Sequence, residues 1–342
     1  MHRVRSLSPL LALLLLWLPV TAAIAARPAG FDRELARFAD EMAERHGFDR
    51  ERLGRLLGQA RYRQSIIDAI TRPAEAKPWR DYRPIFVTPE RAEEGVAWWR
   101  ANEALLRRAE AEYGVPPEIV TAIVGVETRY GRHAGSYPVI DALGTLAFAY
   151  PKRAKFFRRE LEEFLLLTRE ERIAADRVKG SYAGALGKPQ FIPSSYRQYA
   201  VDFDGDGRRD LWNSDADVIG SVAAYFERHG WQRGQPVTTP ARGVDDSNRR
   251  LAERGMKPSI RLDHLRGAGI EPEAPLEVPP ETRASLIRLQ GAAGDEYWIG
   301  LPNFYAITRY NHSNLYAMAV YQLSREILRR HGQSPGAVAG GG

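Results

Sequence analysis

The stretch of sequence that decides the fold is VPPEIVTAIVGVETRYG, residues 115–131. Two prolines near its start are typical of a first helical turn, and the glycine at its end is typical of a helix terminus, so the stretch predicts a helix. Ile119, Ile123 and Glu127 are spaced four residues apart. This spacing places the Glu127 carboxylate on the same apolar face as the two isoleucines.

Glu127 in this position has the properties of a proton donor. A carboxyl group that faces a core loses hydration, which raises its pKa and lets it hold a proton near neutral pH. Such a group can hand that proton to a leaving group as a general acid. A structural ion pair between Glu127 and Arg129 or Arg132 fits the same helix pattern, so the pattern alone leaves both interpretations open.

Apolar residues at helical spacing continue through much of the chain. They predict helices near residues 31–42, 66–70 and 152–169, and again from residue 313. The proline-rich residues 72–87 predict an irregular stretch, after which Thr88-Pro89 is typical of a helix start. The overall expectation is therefore an α+β protein that is predominantly helical.

The region from residue 236 to 300 differs in composition, being rich in proline, glycine and charge. Residues 285–290 and 296–301 predict two strands joined by a Gly-Ala-Ala-Gly turn. We therefore expect a small antiparallel β insert in this region.

The N-terminus predicts an exported protein. Basic residues precede an apolar run at 10–18, and small residues follow near 23–25, which is the order of a secretory signal. The run is short for a membrane span, and no charged stop-transfer pattern follows, so a retained anchor is the weaker interpretation. The sequence has no cysteine for lipid attachment or disulfides. We expect a periplasmic protein that is soluble, is not a lipoprotein and does not span the membrane after signal removal.

Charge and motifs exclude several function classes. Lysine and arginine number 49 against 43 acidic residues, a net charge of +6 that suits an anionic polymer without identifying it. Export argues against nucleic acid as the partner. There is no zinc-ligand spacing of histidines, no G-x-S-x-G nucleophile elbow and no phosphate-binding P-loop. We expect no organic cofactor.

An acidic segment, DFDGDGR at residues 202–208, matches the first half of an EF-hand calcium loop. Asp202, Asp204 and Asp206 fall at ligand positions one, three and five, and glycine follows at position six. Position twelve is Asn213 where the pattern requires glutamate. A solvated turn therefore stays open as the weaker alternative to a calcium site.

Five motifs along the chain resemble those of the lytic murein transglycosylase B family. The resemblance extends from about residue 31 to 329, and its motifs are GVETRYG at 125–131, KGSYAGA at 179–185, QFIPSS at 190–195, LPNFY at 301–305 and TRYNHS at 308–313. It implies a lysozyme-like core in which Glu127 is the catalytic acid and base. The implied reaction cleaves the bond between N-acetylmuramic acid and N-acetylglucosamine in peptidoglycan and leaves a 1,6-anhydro sugar.

The resemblance also implies the residues around Glu127. The positions that match the family's glycan-contacting residues are Tyr82, Ser181, Gln190, Tyr225, Tyr310, Asn311 and Tyr316. It implies a structural calcium ion in an EF-hand-like loop whose ligands are Asp202, Asp204, Asp206, the Arg208 carbonyl and Asp217. One departure stands beside the cleft, since Lys188-Pro189 replaces the usual Tyr-Gly and puts contacts near Gln190 in doubt.

The expected organisation has six parts. They are a signal peptide at 1–25, an N-terminal helical part at 26–98, a lysozyme-like catalytic core with the EF-hand-like loop at 99–235, the β-rich insert at 236–300, the C-terminal part of the core at 301–330 and a disordered tail at 331–342. The resemblance implies the glycan strand of peptidoglycan as the partner, and cell-wall synthesis or remodelling proteins as further candidate partners. A calcium-stabilised wall-binding protein without activity and a hydrolytic muramidase are the competing hypotheses.

Overall fold

The computed structural model describes residues 27–72 and 77–333, so the expected signal peptide and residues 334–342 of the expected tail lie outside the described chain. The described part is predominantly helical, which confirms the expected fold class. Its α-helices are α1 Phe31–His46, α2 Arg50–Gly58, α3 Gln64–Ile70, α4 Trp79–Phe86, α5 Pro89–Ala101, α6 Glu103–Tyr113, α7 Pro117–Thr128, α8 Val139–Ala149, α9 Ala154–Glu170, α10 Pro193–Tyr199, α11 Asp215–Arg228, α12 Leu262–Gly267, α13 Pro302–Tyr310 and α14 Asn314–Gln333.

Strands form a two-stranded ribbon and a five-stranded sheet among the described residues. They are β1 Tyr137–Pro138, β2 Lys179–Gly180, β3 Thr238–Arg242, β4 Ile260–Arg261, β5 Glu271–Pro272, β6 Arg283–Gln290 and β7 Asp295–Gly300. The ribbon pairs β1 with β2, and the sheet has the order β4-β6-β7-β3-β5 with antiparallel neighbours throughout. The expected hairpin is β6–β7, with Ser285 opposite Gly300 and Gln290 opposite Asp295.

The sheet has a small core of its own. Ile260, Leu265, Leu286 and Ile299 are buried together, apart from the larger cluster that fills the helical part. The small core forms because apolar residues on β4, β6 and β7 face α12. The β insert is therefore an antiparallel unit at the side of the helical core.

Helix α7 is the centre of the helical part and is buried on nearly all sides. Ile119, Val120, Ile123 and Val124 are each at most 3% exposed. Helices α5, α11 and α14 pack around it. A helix that is apolar all round is a core helix, so the Glu127 carboxylate is carried by one of the most enclosed elements of the protein.

Helix α7 ends at Thr128, three residues before the glycine that the sequence indicates as its terminus. Arg129 and Tyr130 adopt left-handed φ angles of 50° and 60°. The N–H groups of Arg129 and Tyr130 donate to the carbonyls of Gly125 and Val124, which closes the helix in the manner of a Schellman cap. Tyr130 turns back along the helix, and its hydroxyl donates to the Arg91 carbonyl at 2.8 Å.

Two glycines make this turn possible. A Cβ atom on Gly95 in α5 or on Gly125 in α7 would overlap with the Tyr130 hydroxyl. The phenol therefore occupies a gap between the two helices that only glycine leaves open.

The expectation of an irregular stretch at 72–87 is wrong for its second half, which forms α4. Trp79 and Tyr82 are each 1% exposed, and α4 packs against α14. Pro84 lies within the helix but faces solvent, where its missing N–H costs least. Burial of the aromatic face therefore outweighs the helix-breaking tendency of the prolines.

Candidate active site

Glu127 lies half-buried in the last turn of α7 and is reached from α14. The Tyr316 hydroxyl donates a hydrogen bond to Glu127 Oε1 at 2.5 Å. The site is positioned by packing, because α7 and α14 are both core helices in direct contact.

The arginines that could have paired with Glu127 are engaged elsewhere. Arg129 Nε lies 2.7 Å from Glu94 Oε2, and Arg132 lies 2.5 Å from Glu94 Oε1. These contacts lower the pKa of Glu94, first through the Arg129 hydrogen bond. The pairing of both arginines with Glu94 therefore argues against the alternative of a structural ion pair with Glu127.

Tyr310 and Tyr316 form a stacked pair beside Glu127. Their ring centroids are 6.4 Å apart with planes 11° from parallel. Burial, and after it the Glu127 charge, raises the pKa of both phenols well above the usual value. Both hydroxyls therefore stay protonated, and the Tyr316 hydroxyl remains able to donate to the carboxylate.

Tyr82 and Tyr225 lie behind this stacked pair. Tyr82 is 1% exposed in α4 and adjoins Tyr316, whose pKa it helps to raise. Tyr225 is 7% exposed, packs 4.9 Å from Tyr310 and donates its hydroxyl to the Arg309 carbonyl at 2.6 Å. The structure thus places these two expected wall residues next to the stacked pair, with Tyr82 beside Tyr316 and Tyr225 beside Tyr310.

Ser181 and Gln190 belong to loops that follow β2. The Ser181 Oγ accepts the N–H groups of Ala183 and Ala185 at 3.2 and 3.0 Å, which fixes a tight turn. Gln190 has a left-handed φ of 53°. Its Nε2 donates to the carbonyls of Gly187 at 2.8 Å and Ala134 at 3.2 Å.

Asn311 is an extended, half-buried residue that joins α13 to α14. It follows Tyr310 directly, so it shares the anchoring of the tyrosine pair. The structure therefore brings Glu127, Tyr82, Tyr225, Tyr310 and Tyr316 together, with Asn311 next to them in the chain.

Lys188-Pro189, the departure from the family pattern, is built into the structure around Glu127. The Lys188 Nζ lies 2.6 Å from Asp215 Oδ1. Its carbonyl accepts the Thr128 Oγ1 at 2.8 Å, and its N–H donates to the Leu211 carbonyl at 2.8 Å. The Pro189 carbonyl accepts the Tyr310 hydroxyl at 2.7 Å. The lysine charge is thus paired with Asp215, and proline's carbonyl holds one of the two stacked tyrosines.

Thr128 is a residue that the sequence analysis missed. It is 1% exposed and follows Glu127, and its Oγ1 also accepts the Gly131 N–H at 3.0 Å. Its partner Lys188 is sixty residues away in the chain, so no local pattern could have indicated the contact. Thr128 belongs to the GVETRYG motif, but the motif alone assigns it no function.

Asp141, the first acidic residue after Glu127 in the sequence, has a structural role. It is 3% exposed in the first turn of α8. It accepts the Arg61 N–H at 2.8 Å and lies 2.7 Å from Arg63 Nε. Its charge is therefore used to tie the N-terminal helices to α8.

Three of the expected calcium ligands form one cluster. Oxygen atoms of Asp202, Asp204 and Asp217 all lie within 4.8 Å of one another. Asp217 is 1% exposed and accepts the N–H groups of Phe203 and Asp210, each at 2.7 Å. The structure does not place Asp206 in this cluster, and its Oδ1 accepts the Arg208 N–H at 2.8 Å.

The cluster has the chemistry of a calcium site. Among residues 27–72 and 77–333, no lysine or arginine forms an ion pair with any of its three carboxylates. Burial, partly offset by the two N–H donors, raises the pKa of Asp217. Carboxylate oxygens are the ligands that calcium prefers, and a bound cation would favour the charged form of all three.

Comparison with known proteins identifies the family. A family model described as a transglycosylase SLT domain matches residues 30–325. The chain belongs to this family. Membrane-bound lytic murein transglycosylase B of Escherichia coli is 46% identical over 301 residues, which cover 85% of this chain and 81% of that protein.

Solved structures of this transglycosylase family agree with the fold. The soluble lytic transglycosylase SltB1 of Pseudomonas aeruginosa matches with a TM-score of 0.83 at 51% identity, covering 87% of this chain and 99% of that one. The Escherichia coli lytic transglycosylase Slt35 in complex with calcium matches with a TM-score of 0.79 at 45% identity, covering 89% and 94%. The lysozyme-like core that the motifs imply is thus confirmed.

Proposed function

We propose that this protein is a peptidoglycan lytic transglycosylase in which Glu127 performs both proton transfers. The observation that carries the proposal is the Glu127 carboxylate at the end of the buried helix α7, where it accepts a hydrogen bond from Tyr316. The chain's membership of a transglycosylase family supports the same function. The substrate is the β-1,4 bond between N-acetylmuramic acid and N-acetylglucosamine. The product is a 1,6-anhydro-muramic acid end, made during cell-wall remodelling or turnover.

The reaction needs one carboxyl group in two states. Glu127 first gives its proton to the glycosidic oxygen, and the bond from that oxygen to C1 of muramic acid breaks. The Glu127 carboxylate then removes the proton from the 6-hydroxyl of the same sugar, whose oxygen bonds to C1. Glu127 is protonated again at the end, and no water is consumed.

A second catalytic carboxylate is not required by this route. Ordinary glycosidases use two carboxyl groups that flank the bond, one of them as base or nucleophile. Asp141 is committed to Arg63, which supports a mechanism in which the sugar supplies the nucleophile. A hydrolytic muramidase is the competing hypothesis, and its products differ in mass.

The surrounding residues divide into contacts and supports. We propose that Ser181, Gln190 and Asn311 hydrogen-bond the sugars and that the ring of the half-buried Tyr310 faces them, since aromatic faces suit the apolar faces of sugars. Tyr82, Tyr225 and Tyr316 are each at most 7% exposed, so we propose that they act by holding Tyr310 and, in the case of Tyr316, by donating to Glu127.

We propose that calcium binds the acidic loop and has a structural role. Asp202, Asp204 and Asp217 would hold it, with Asp206 and the Arg208 carbonyl as further ligands. The acidic cluster and the calcium complex of Slt35 support this assignment. Calcium would supply the positive charge that balances the clustered carboxylates and would hold the loop after α10 in place.

We propose that the protein acts in the periplasm on glycan strands, with wall-synthesis or remodelling proteins as possible partners. The signal-like N-terminus and the absence of cysteine support export without lipid attachment, although the relative from Escherichia coli is described as membrane-bound. Among the described residues, no helix is both long and apolar enough to cross a membrane. SltB3 of Pseudomonas aeruginosa, 32% identical with a TM-score of 0.78, was solved in complex with NAG-NAM-pentapeptide, which supports peptide-bearing glycan as substrate.

The test is a digest of purified wall sacs. Wild-type protein should release muropeptides one water lighter than those released by lysozyme, and Glu127→Gln should release them at least about a thousandfold more slowly. Glu118→Gln, the same substitution in the first turn of α7, is the matched control and should keep activity. Products with reducing ends would establish a hydrolase, and equal release by the Glu127 variant would refute the assignment. Binding without release by wild type would favour a calcium-stabilised wall-binding protein.

A further inference from the structure

Thr128 joins the helix that carries Glu127 to the segment 187–190. It is the last residue of α7, is 1% exposed and directly follows Glu127. Its Oγ1 donates to the Lys188 carbonyl at 2.8 Å and accepts the Gly131 N–H at 3.0 Å. One hydroxyl therefore closes the end of α7 and ties that end to a segment sixty residues further along the chain.

The segment 187–190 supports two of the proposed sugar contacts. Gln190 is its last residue, and the Gln190 Nε2 donates to the Gly187 carbonyl at 2.8 Å. The Pro189 carbonyl accepts the Tyr310 hydroxyl at 2.7 Å. A displacement of this segment relative to α7 would therefore move the amide and the ring together, away from their positions relative to the acid.

Other hydrogen bonds of the segment lead to other elements. The Lys188 N–H donates to the Leu211 carbonyl at 2.8 Å, and the Lys188 Nζ pairs with Asp215 in the first turn of α11. The Gln190 Nε2 also donates to the Ala134 carbonyl at 3.2 Å, which lies beyond the two left-handed residues that follow α7. The Thr128 hydroxyl is the link that reaches α7 itself, next to the acid.

We propose that Thr128 is a positioning residue for the transglycosylase reaction. Its hydroxyl holds the Glu127 carboxyl group in register with the sugar that Gln190 and Tyr310 contact. The proposal rests on the proposed function and adds a residue that acts through Glu127 instead of on the substrate. Proton transfer requires the carboxyl group within hydrogen-bond reach of the glycosidic oxygen, and a misplacement of about 1 Å can cost about a hundredfold in rate.

Loss of this link should change the catalytic step more than it changes binding. Gln190 and Tyr310 keep their own hydrogen bonds to Gly187 and Pro189, so the sugar contacts remain in place. What is lost is an alignment of the acid that matters in the transition state. A change confined to the transition state lowers kcat and leaves KM nearly unchanged.

The experiment measures the release of anhydro product from soluble glycan strands by Thr128→Val and Thr128→Ser. Valine has the shape of threonine without the hydroxyl, so Thr128→Val should lower kcat by about tenfold or more while KM changes by less than about twofold. Serine keeps the hydroxyl, so Thr128→Ser should retain a kcat within about threefold of wild type. An unchanged kcat in Thr128→Val, a rise in KM without a fall in kcat, or an equal fall in both variants overturns the proposal.

The matched control is Thr145→Val in α8. Thr145 is fully buried, and its Oγ1 accepts the Arg63 N–H at 3.1 Å and donates to the Arg61 carbonyl at 3.4 Å. Its hydroxyl therefore joins α8 to the segment between α2 and α3, as the Thr128 hydroxyl joins α7 to 187–190. Thr145→Val should lower the melting temperature about as much as Thr128→Val does and should leave kcat within about twofold of wild type. An equal fall in kcat in this control would show an effect of lost stability and would overturn the proposal.

A second pair of variants tests the same hydroxyl if Thr128→Val does not fold. Thr128→Ser and Thr128→Ala both lack the methyl group and differ in the hydroxyl, so the serine variant should have a kcat about tenfold or more above that of the alanine variant. Equal values of kcat would overturn the proposal. If wild type releases no anhydro product, the transglycosylase function fails and this proposal fails with it, which is a different outcome from an active wild type and an unaffected Thr128→Val.

Discussion

Glu127 and Asp217 are two carboxylates of the same helical core that are held in different ways. Glu127 is half-buried and accepts a hydrogen bond from the Tyr316 hydroxyl, a side-chain group. Asp217 is 1% exposed and accepts two backbone N–H groups from the loop it closes. A tyrosine hydroxyl can donate or accept, whereas a backbone N–H can only donate.

This difference matches the two proposed roles. A carboxyl group that gives and then takes a proton needs a neighbour that tolerates both states, as the Tyr316 hydroxyl does. A metal ligand needs to stay charged, and fixed N–H donors favour the charged form over the neutral one. The comparison therefore predicts that one carboxylate controls rate and the other controls stability.

The largest effect on activity should come from removing the Glu127 carboxylate. Glu127→Gln should lower the cleavage rate by about a thousandfold or more, because general acid and base catalysis are both lost. Its melting temperature should still rise on addition of calcium, as in wild type. Steady-state release assays and thermal unfolding with calcium or chelator check both statements. Loss of the calcium response in this variant would contradict the assignment of activity to Glu127 and of calcium-dependent stability to Asp217.

Removal of the Tyr316 hydroxyl should have the next largest effect. Tyr316→Phe should lower kcat by about ten- to a hundredfold, corresponding to a lost hydrogen bond to a charged group of about 1.5–3 kcal/mol. The alkaline limb of the pH–rate profile should move to higher pH, because the Glu127 carboxylate loses a donor that favours it.

The matched control for this variant is Tyr130→Phe. It removes a hydroxyl that is bonded to the Arg91 carbonyl instead of to Glu127. It should lower stability by about 1 kcal/mol and leave the position of the alkaline limb unchanged. If both variants moved that limb equally, the contact between Tyr316 and Glu127 would have no special role.

Asp217→Asn should remove the calcium dependence of stability. A ligand at a hundred times its Kd stabilises a protein by about 2.7 kcal/mol, so wild type should unfold several degrees higher in calcium than in chelator. The variant should unfold at the same temperature in both. Calorimetry of Asp206→Asn under the same two conditions would show whether Asp206, which lies outside the observed cluster, contributes to the calcium dependence of the unfolding temperature.

Lys188→Met should have the smallest effect. Its ion pair with Asp215 joins side chains that are 19% and 31% exposed, so about 1 kcal/mol of stability should be lost. Cleavage should change by less than about threefold, since Nζ is directed to Asp215. A large fall in kcat without unfolding would show that this link couples the acidic loop to Glu127.

The features that could be predicted from sequence are those that depend on the spacing of residues close together in the chain. The helix that carries Glu127, the β6–β7 hairpin and the Asp202–Asp204 loop follow from apolar period, turn residues and ligand spacing. The motifs added the family and hence the lysozyme-like core.

The features that could not be predicted depend on distant contacts. Helix α4 forms within a proline-rich segment because Trp79 and Tyr82 are buried against α14, more than two hundred residues later. The pairing of Lys188 with Asp215 and of Asp141 with Arg63 likewise has no local signal. Tyr82 and Tyr225 share a motif assignment with Tyr310 and Tyr316, but only the structure shows that the Tyr316 hydroxyl donates to Glu127 and the Tyr310 hydroxyl to the Pro189 carbonyl.

The gap between Gly95 and Gly125 has a consequence for protein design. Gly125 and Tyr130 flank Glu127 in one motif, yet they act as packing partners, with the phenol placed where any Cβ would collide. Grafting Glu127 alone onto another helix would therefore transfer the acid without the bend that ends its helix. A designer would have to move the glycine from a second helix as well, so the smallest portable unit spans α5 and α7 together.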